Sequence, residues 1–174
     1  MGPFGQVNSK IGEASMSKKD TQMNMIGLRC SNRDFTHAIL TGTKVAPVLL
    51  EYTTIKFPIG YTLPQSLKWF LQELSSLYSK YSVRAIVIKA DEGRMRSKSY
   101  EKRVEHEAMV YLAAENSCIK HVFRKVSSTI AKDLGLKGRA HYLKTALDTS
   151  VISGFDDMTK KTQEAILCAW SVLP

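Results

Sequence analysis

The stretch Gly93–Tyr100 concentrates side chains that bind phosphates and nucleobases. Arg94, Arg96 and Lys98 alternate along it, so an extended loop would direct all three the same way. Two serines and Tyr100 add hydroxyl groups and an aromatic ring. Cations and hydroxyls contact phosphate oxygens, and aromatic rings stack on bases. The segment therefore favours a nucleic-acid contact, although a solvated loop without a ligand would have the same composition.

The cationic surplus continues beyond this loop. Twelve lysines and arginines lie between Arg94 and Lys144, against five acids, in a chain with a formal charge of +9. A surplus of this size attracts polyanions, chiefly nucleic acids, because binding releases condensed counterions. The alternative is a basic surface that only keeps the protein soluble. The candidate nucleic-acid-binding residues are Arg94, Arg96, Lys98, Lys102, Arg103, Arg124, Lys125, Lys132, Lys137 and Arg139.

Other chemically suggestive groups are weaker. Glu105-His106-Glu107 lacks the second histidine of an HExxH zinc pair. A helix would instead place five residues around its flank as i,i+4 surface pairs: Glu101, Lys102, Arg103, Glu105 and His106. The loop Gly135–Arg139 lacks the Lys-Ser/Thr ending of a phosphate-binding P-loop. The three cysteines are widely spaced, so we expect small buried hydrophobes rather than zinc ligands. These patterns predict no resident cofactor.

The elements that must position these residues follow from apolar periodicity. Residues 1–20 show none, which predicts a disordered leader, and residues 21–174 are predicted to form a single domain. No apolar run approaches the length of about 18 residues that crosses a bilayer. The start of the chain lacks the apolar core of a signal peptide. We therefore expect a cytoplasmic protein without a membrane partner.

Short apolar runs bounded by turn residues predict five strands, at residues 23–30, 35–40, 45–57, 83–88 and 121–126. Five helices are predicted. The first runs from Pro64 to Tyr81, the second over 99–116 and the fourth over 140–147. The third begins at a cap at Ser127 or Ser128 and ends at 134, and the last begins at a cap at Asp156 or Asp157. In the second helix we expect an inward face of Tyr100, Val104, Ala108, Tyr111 and Leu112. This order predicts an α/β fold with a mixed five-stranded sheet, three antiparallel strands and then parallel ones, flanked by helices.

The order and four short segments resemble the ribonuclease-H-like fold, and within it the RuvC-type Holliday-junction resolvases. Ile26-Gly27-Leu28-Arg29 looks like the family's first strand, which reads Gly-Ile-Asp, and Ala85–Lys89 looks like the fourth strand, which ends in Glu. Residues Val126–Arg139 are similar to the basic segment before the following helix. Glu164–Trp170 resembles the closing helix, which carries Asp-Ala-Leu-Ala. The resemblance spans residues 23–173.

The resemblance also implies a chemistry. Nucleases of this fold hold two divalent metal ions with carboxylates on neighbouring strands and on the last helix. At the matching positions this chain has Arg29, Lys89 and Lys161, and only Glu164 keeps a carboxylate. The chain therefore resembles a catalytically degenerate branch of the family, without a metal. A shifted register leaves another interpretation open, with a metal site rebuilt from some of Asp91, Glu92, Glu164 and Asp157.

Three functions follow from these patterns. The first is a non-catalytic nucleic-acid-binding protein on a resolvase-like scaffold, with DNA preferred to RNA and a homodimer left open. The second is a protein-interaction subunit of a larger, phage- or mobile-element-related complex, which would dock on an exposed flank of Trp69, Tyr78 and Tyr81. The third is a nuclease that uses displaced acidic ligands and requires Mg²⁺.

Overall fold

The computed structural model describes residues 23–92 and 98–174, and for Lys98 it describes the backbone alone. The predicted leader at residues 1–20 and the side chains of Arg94 and Arg96 therefore lie outside the described residues. Within the described ranges no helix combines the length and the apolar character that a membrane crossing requires.

The described chain forms one five-stranded sheet and the helices that cover it. The strands are β1 (Asn24–Cys30), β2 (Asp34–Gly42), β3 (Pro47–Lys56), β4 (Val83–Lys89) and β5 (His121–Lys125). The helices are α1 (Leu63–Lys80), α2 (Lys98–Asn116), α3 (Ser127–Asp133), α4 (Tyr142–Thr145) and α5 (Lys160–Trp170), with a 3₁₀ turn at Phe155–Asp157. The five strands stand where the apolar runs predict them, within a few residues at the ends.

The strand order is β3-β2-β1-β4-β5. The first three strands pair antiparallel, whereas β4 pairs parallel with β1 on one side and with β5 on the other. The predicted mixed sheet is thus confirmed. Because Leu28 lies opposite Ile88 in the parallel pair, the carboxyl ends of β1 and β4 meet at one edge of the sheet. This register places Arg29 and Lys89, each the next residue along its strand, side by side.

Alternation along the strands separates two cores. Ile26, Leu28 and Ile86 pack with α1 and α2, whereas Met25 and Val87 pack with α3 and α5 on the opposite face. Arg29 and Lys89 share the α5 face because side chains alternate along a strand.

Gly27 sets how closely α5 approaches this sheet. A Cβ atom at residue 27 would lie 1.8 Å from the carbonyl oxygen of Ala165 and 2.8 Å from the amide nitrogen of Ala169. Only a residue without a side chain fits under a helix backbone at that distance. The close approach brings Glu164, the residue before Ala165, over the end of β1.

The inward face predicted for α2 is wrong. Val104, Tyr111 and Leu112 are exposed, as is Ala108, and Tyr100 is only partly buried. The residues that α2 buries are Arg103, His106, Glu107, Val110, Ala113 and Ala114. The prediction failed because it assumed that charged side chains face solvent, whereas here Arg103 and Glu107 are buried together with their partners.

The predicted helix starts and the predicted aromatic flank also need correction. Thr159 caps α5, with its side chain accepting from the Thr162 amide, so neither Asp156 nor Asp157 is the cap. Val126 precedes α3, and no serine side chain caps it. Tyr78 is 2% exposed, so it cannot belong to an exposed docking flank, and Trp69 and Tyr81 are partly buried against the same core. Among the cysteines, Cys118 is exposed rather than buried.

Candidate functional site

A cluster of ion pairs occupies the edge of the sheet where β1, β4 and α5 meet. Arg29 at the end of β1 donates from Nε to Oε2 of Glu164 on α5 at 2.8 Å. Both side chains are about one-fifth exposed. Arg29 also donates from Nη1 to the carbonyl oxygen of Cys30 at 2.6 Å. The Glu164 carboxylate on the last helix is therefore held by a guanidinium group from the first strand.

Lys89 forms the second pair. Its side chain is 6% exposed, and Nζ donates to Oε1 of Glu92 at 2.5 Å and to the carbonyl oxygen of Ala90 at 2.8 Å. The same Glu92 oxygen accepts from the amide and the hydroxyl of Ser127, each at 2.7 Å. Burial opposes ionisation of Glu92, but the bonds from Lys89 and Ser127 outweigh it and lower its pKa to about 2. Glu92 is thus an anion that already has three donors.

Lys161 forms a third pair, one turn before Glu164 on α5. Its Nζ donates to both carboxylate oxygens of Asp34, at the start of β2, each at 2.7 Å. Ser31 donates to the same carboxylate at 2.7 Å. Burial would raise the pKa of Asp34, but the bonds from Lys161 and Ser31 lower it from its usual value. Each of the three cations that the sequence places at this edge therefore holds a carboxylate.

A chain of buried charges runs behind this edge, between β4, α2 and β5. Arg103 is 3% exposed and contacts Asp91 (Nη1–Oδ2, 3.0 Å), Glu107 (Nε–Oε1, 3.0 Å) and the carbonyl oxygen of Lys89. Glu107 accepts a further bond from Arg124 Nε at 2.8 Å, and this bond raises the pKa of Arg124. The expectation that Arg103 and His106 form surface pairs on the flank of this helix is therefore wrong, because both are 3% exposed.

His106 is the other buried polar residue of this helix. Its ring stacks on Phe57, with centroids 4.0 Å apart and planes 21° apart, and its Nδ1 lies 2.9 Å from the carbonyl oxygen of Ser31. Burial lowers its pKa. The contact with Ser31 joins α2 to the turn that follows β1, and the contact with Phe57 joins it to the end of β3.

A cavity of about 600 Å³ opens in front of the ion pairs. Arg29, Lys89, Glu92 and Glu164 form its strand-end side. The lining also includes four apolar side chains from α3, α4, the 3₁₀ turn and α5, which we call the apolar wall: Ile130, Leu143, Phe155 and Leu167. Its volume is within the range of small-molecule pockets, roughly 300–1,000 Å³.

The acids proposed for a rebuilt metal site are only partly brought together. Asp91, Glu92 and Glu164 all line the cavity, whereas Asp157 is exposed on the 3₁₀ turn and does not line it. Asp91, Glu92 and Glu164 are paired with Arg103, Lys89 and Arg29, respectively. Within residues 23–92 and 98–174, no group of three or more His, Cys, Asp or Glu side chains is arranged to hold a metal ion. A divalent cation needs several free oxygen ligands, so the side chains described do not fit one in this arrangement.

Of the residues expected to bind nucleic acid, seven have described side chains, and these are either exposed without an ion pair or held by a partner within the protein. Lys102, Lys132, Lys137 and Arg139 are exposed and form no ion pair with a described residue. Arg103 is buried and cannot reach a phosphate, which corrects its assignment. Lys125 is largely buried and binds Asp133 at 2.7 Å and Ser171 at 3.1 Å, so it is also unavailable. Arg124 is partly exposed but is held by Glu107.

Two lysines beside the cavity escaped the sequence-based selection. Lys144 on α4 and Lys160 at the start of α5 line the cavity, are exposed, and have no ion-pair partner among the described residues. The apolar wall was also missed, because Leu143 and Phe155 lie in short helical turns that give no extended periodicity. The spacing of Arg103 and Glu107 was visible, but their burial depends on partners from β4 and β5 that are distant in sequence.

The sheet order and the crossing of α5 over β1 correspond to a ribonuclease-H-like fold of the RuvC type. Thermus thermophilus RuvC in complex with a Holliday junction substrate matches with a TM-score of 0.66 and 11% identity, over 86% of this chain and 91% of that one. A second Thermus thermophilus RuvC structure gives a TM-score of 0.66, with 10% identity and coverages of 86% and 92%. The yeast mitochondrial Holliday junction resolvase matches with a TM-score of 0.54 and 11% identity, over 86% of this chain and 78% of that one.

Neither a protein-family model nor a curated protein matches the sequence. At 10–11% identity the likeness to these structures establishes the fold alone.

Proposed function

We propose that this protein binds nucleic acid and does not cleave it. The observation that carries the proposal is the charge at the end of the sheet, where Arg29 holds Glu164 at 2.8 Å. Lys89 and Lys161 likewise hold Glu92 and Asp34. A site that cleaves phosphodiesters with metal ions needs a free cluster of carboxylates at this position. Fixed cations there repel a divalent ion and occupy the oxygens that would bind it.

Nucleic acid is the ligand that the remaining surface favours. Lys132, Lys137 and Arg139 follow one another along α3 and the loop after it, all exposed. α3 also forms part of the cavity wall, through Ile130. The Thermus thermophilus protein that shares this fold is described in complex with a Holliday junction substrate. We therefore expect DNA to lie across the α3 side of the strand ends, with its phosphates near these three cations.

The test is a titration of labelled four-way junction, duplex and single-stranded DNA, followed by fluorescence anisotropy at about 50 and 200 mM salt. Wild-type protein should bind, and its affinity should fall steeply with salt because bound phosphates release counterions. The variant Lys132→Ala/Lys137→Ala/Arg139→Ala should bind more weakly. Its slope of log affinity against log salt should be shallower by about 1 for each phosphate that the variant no longer neutralises.

The matched control removes the same charge elsewhere. Lys56, Lys68 and Arg84 are exposed on β3, α1 and β4, and the triple alanine variant at these positions should retain the wild-type slope. Equal losses of DNA affinity in both variants would mean that binding depends on the net charge of the protein and not on the three cations near α3. Salt-independent binding, or no binding, would refute the proposal and leave the protein-docking alternative.

A further inference from the structure

The lining of the cavity at the strand ends has two chemically different parts. The apolar part consists of four side chains that belong to the core: Ile130, Leu143, Phe155 and Leu167. The polar part carries charged and hydroxyl groups from the ends of β1 and β4 and from α3 and α5. A purely apolar ligand would leave the polar part unpaired, and a bare inorganic anion would leave the apolar wall in water. The ligand that fits both parts has an apolar body with a polar edge.

The charge that remains in the cavity is positive. Arg29 and Glu164 neutralise each other, as do Lys89 and Glu92, and Asp91 is paired with Arg103. Among the residues that the structure describes, the remaining charged groups on the lining are Lys144, Lys160 and Asp156, and Asp156 accepts a hydrogen bond from Thr149 at 3.2 Å. Two exposed lysines against one carboxylate favour an anionic ligand. The ligand therefore combines the apolar body with at least one negative group.

We propose that this cavity binds a single nucleotide unit, with an unpaired base against the apolar wall and its phosphate at Lys144 and Lys160. A nucleobase has apolar faces and a hydrogen-bonding edge, which are the properties the two parts of the lining require. A stacked and paired base presents neither face, so duplex DNA must lose a base from its stack before it can enter. The inference rests on the proposed function where the unit belongs to a nucleic acid; a free nucleoside monophosphate has the same chemistry.

The first arm compares a single-stranded oligonucleotide with its duplex, for wild type and for Ala140→Trp. Ala140 is exposed and lines the cavity, so an indole there fills the mouth without disturbing the core. Wild type should prefer the single strand by about tenfold, the scale of one buried, stacked base. Ala140→Trp should lose this preference and keep its affinity for the duplex. Ala108→Trp, at an exposed position of α2 outside the cavity lining, should behave as wild type.

The second arm removes the phosphate-binding lysines. Lys144→Ala/Lys160→Ala should reduce single-strand affinity more than duplex affinity, whereas Lys56→Ala/Lys68→Ala should reduce both equally or not at all. The third arm titrates adenosine monophosphate by calorimetry. One outcome is that binding heat is present for wild type and absent for Ala140→Trp while wild type binds single strand and duplex equally well. This combination would identify a free nucleotide, rather than a nucleotide within DNA, as the ligand of the cavity.

The outcomes separate this inference from the proposed function. Salt-dependent binding with equal affinity for both forms, and no heat with the mononucleotide, would refute the nucleotide cavity while leaving nucleic-acid binding intact. A single-strand preference that survives Ala140→Trp would also refute it. If no form of DNA binds and the mononucleotide gives no heat, both proposals fail.

Discussion

Arg29 on β1 and Glu164 on α5 are joined by a hydrogen-bonded ion pair, Nε to Oε2 at 2.8 Å, at the point where the first strand meets the last helix. Gly27 lets the α5 backbone lie directly on β1, which brings Glu164 to the end of that strand.

Restoring acids at this edge should create a metal site. The variant Arg29→Asp/Lys89→Glu/Lys161→Asp places carboxylates beside Glu164 and Asp34, and their repulsion should lower stability without metal. Mn²⁺ at about 100 times its Kd would stabilise such a site by about 2.7 kcal/mol. In a domain of this size that raises Tm by roughly 5–10 °C, measured against EDTA. Wild type should show no such increase, and an equal increase in both would contradict the account.

Gly27→Ala should destabilise the protein by at least about 1–3 kcal/mol, because overpacking shifts the backbone. The added Cβ would meet the Ala165 carbonyl oxygen and the Ala169 amide nitrogen, which cannot move without shifting α5. Urea denaturation followed by circular dichroism measures the effect. Wild-type stability in this variant would show that α5 does not lie where we describe it.

Glu107→Ala should cost about 1–3 kcal/mol in the free energy of unfolding, since it removes one of the two carboxylates that hold buried Arg103 and also the partner of Arg124. Glu101→Ala is the matched control, because Glu101 is exposed on the same helix. That control should stay within about 0.5 kcal/mol of wild type. Two variants of equal stability would mean that the buried charge chain contributes nothing to the fold.

Burial lowers the pKa of His37 below its ordinary value of 6.5. The neutral ring therefore stabilises the folded state above pH 6.5, and this stability is lost as the pH falls through the lowered value. We expect the free energy of unfolding to decrease as the pH falls below about 6.5, the ordinary value of the unfolded-state histidine. His37→Phe, which keeps a ring beside Phe35, should show a smaller decrease. An unchanged pH dependence would assign the effect to other groups, among them His106.

The sheet could be predicted from sequence because its strands are short, β-branched runs between turn residues. Val83–Ile88 is an example, since nearly every position is apolar and buried. The inward face of α1 could also be predicted from sequence, because Phe70, Leu74 and Leu77 repeat at helical spacing, and all three are buried.

The face of α2 could not be predicted in the same way. Arg103 and Glu107 are buried only because Asp91, Arg124 and the Lys89 carbonyl surround them, and those groups come from other elements. Periodicity treats such residues as solvent-facing. The cavity escaped prediction for a related reason, since its apolar wall comes from short turns between 130 and 167 that meet only in the folded chain.

The most direct test of the central claim is an incubation of wild-type protein with four-way junction, duplex and single-stranded DNA in Mg²⁺ and in Mn²⁺. Binding and strand integrity are read from the same samples on native and denaturing gels. We predict that the DNA is bound at low salt and remains intact with either metal. Metal-dependent cleavage that Glu164→Ala abolishes would contradict the account and identify the edge of the sheet as a working nuclease site.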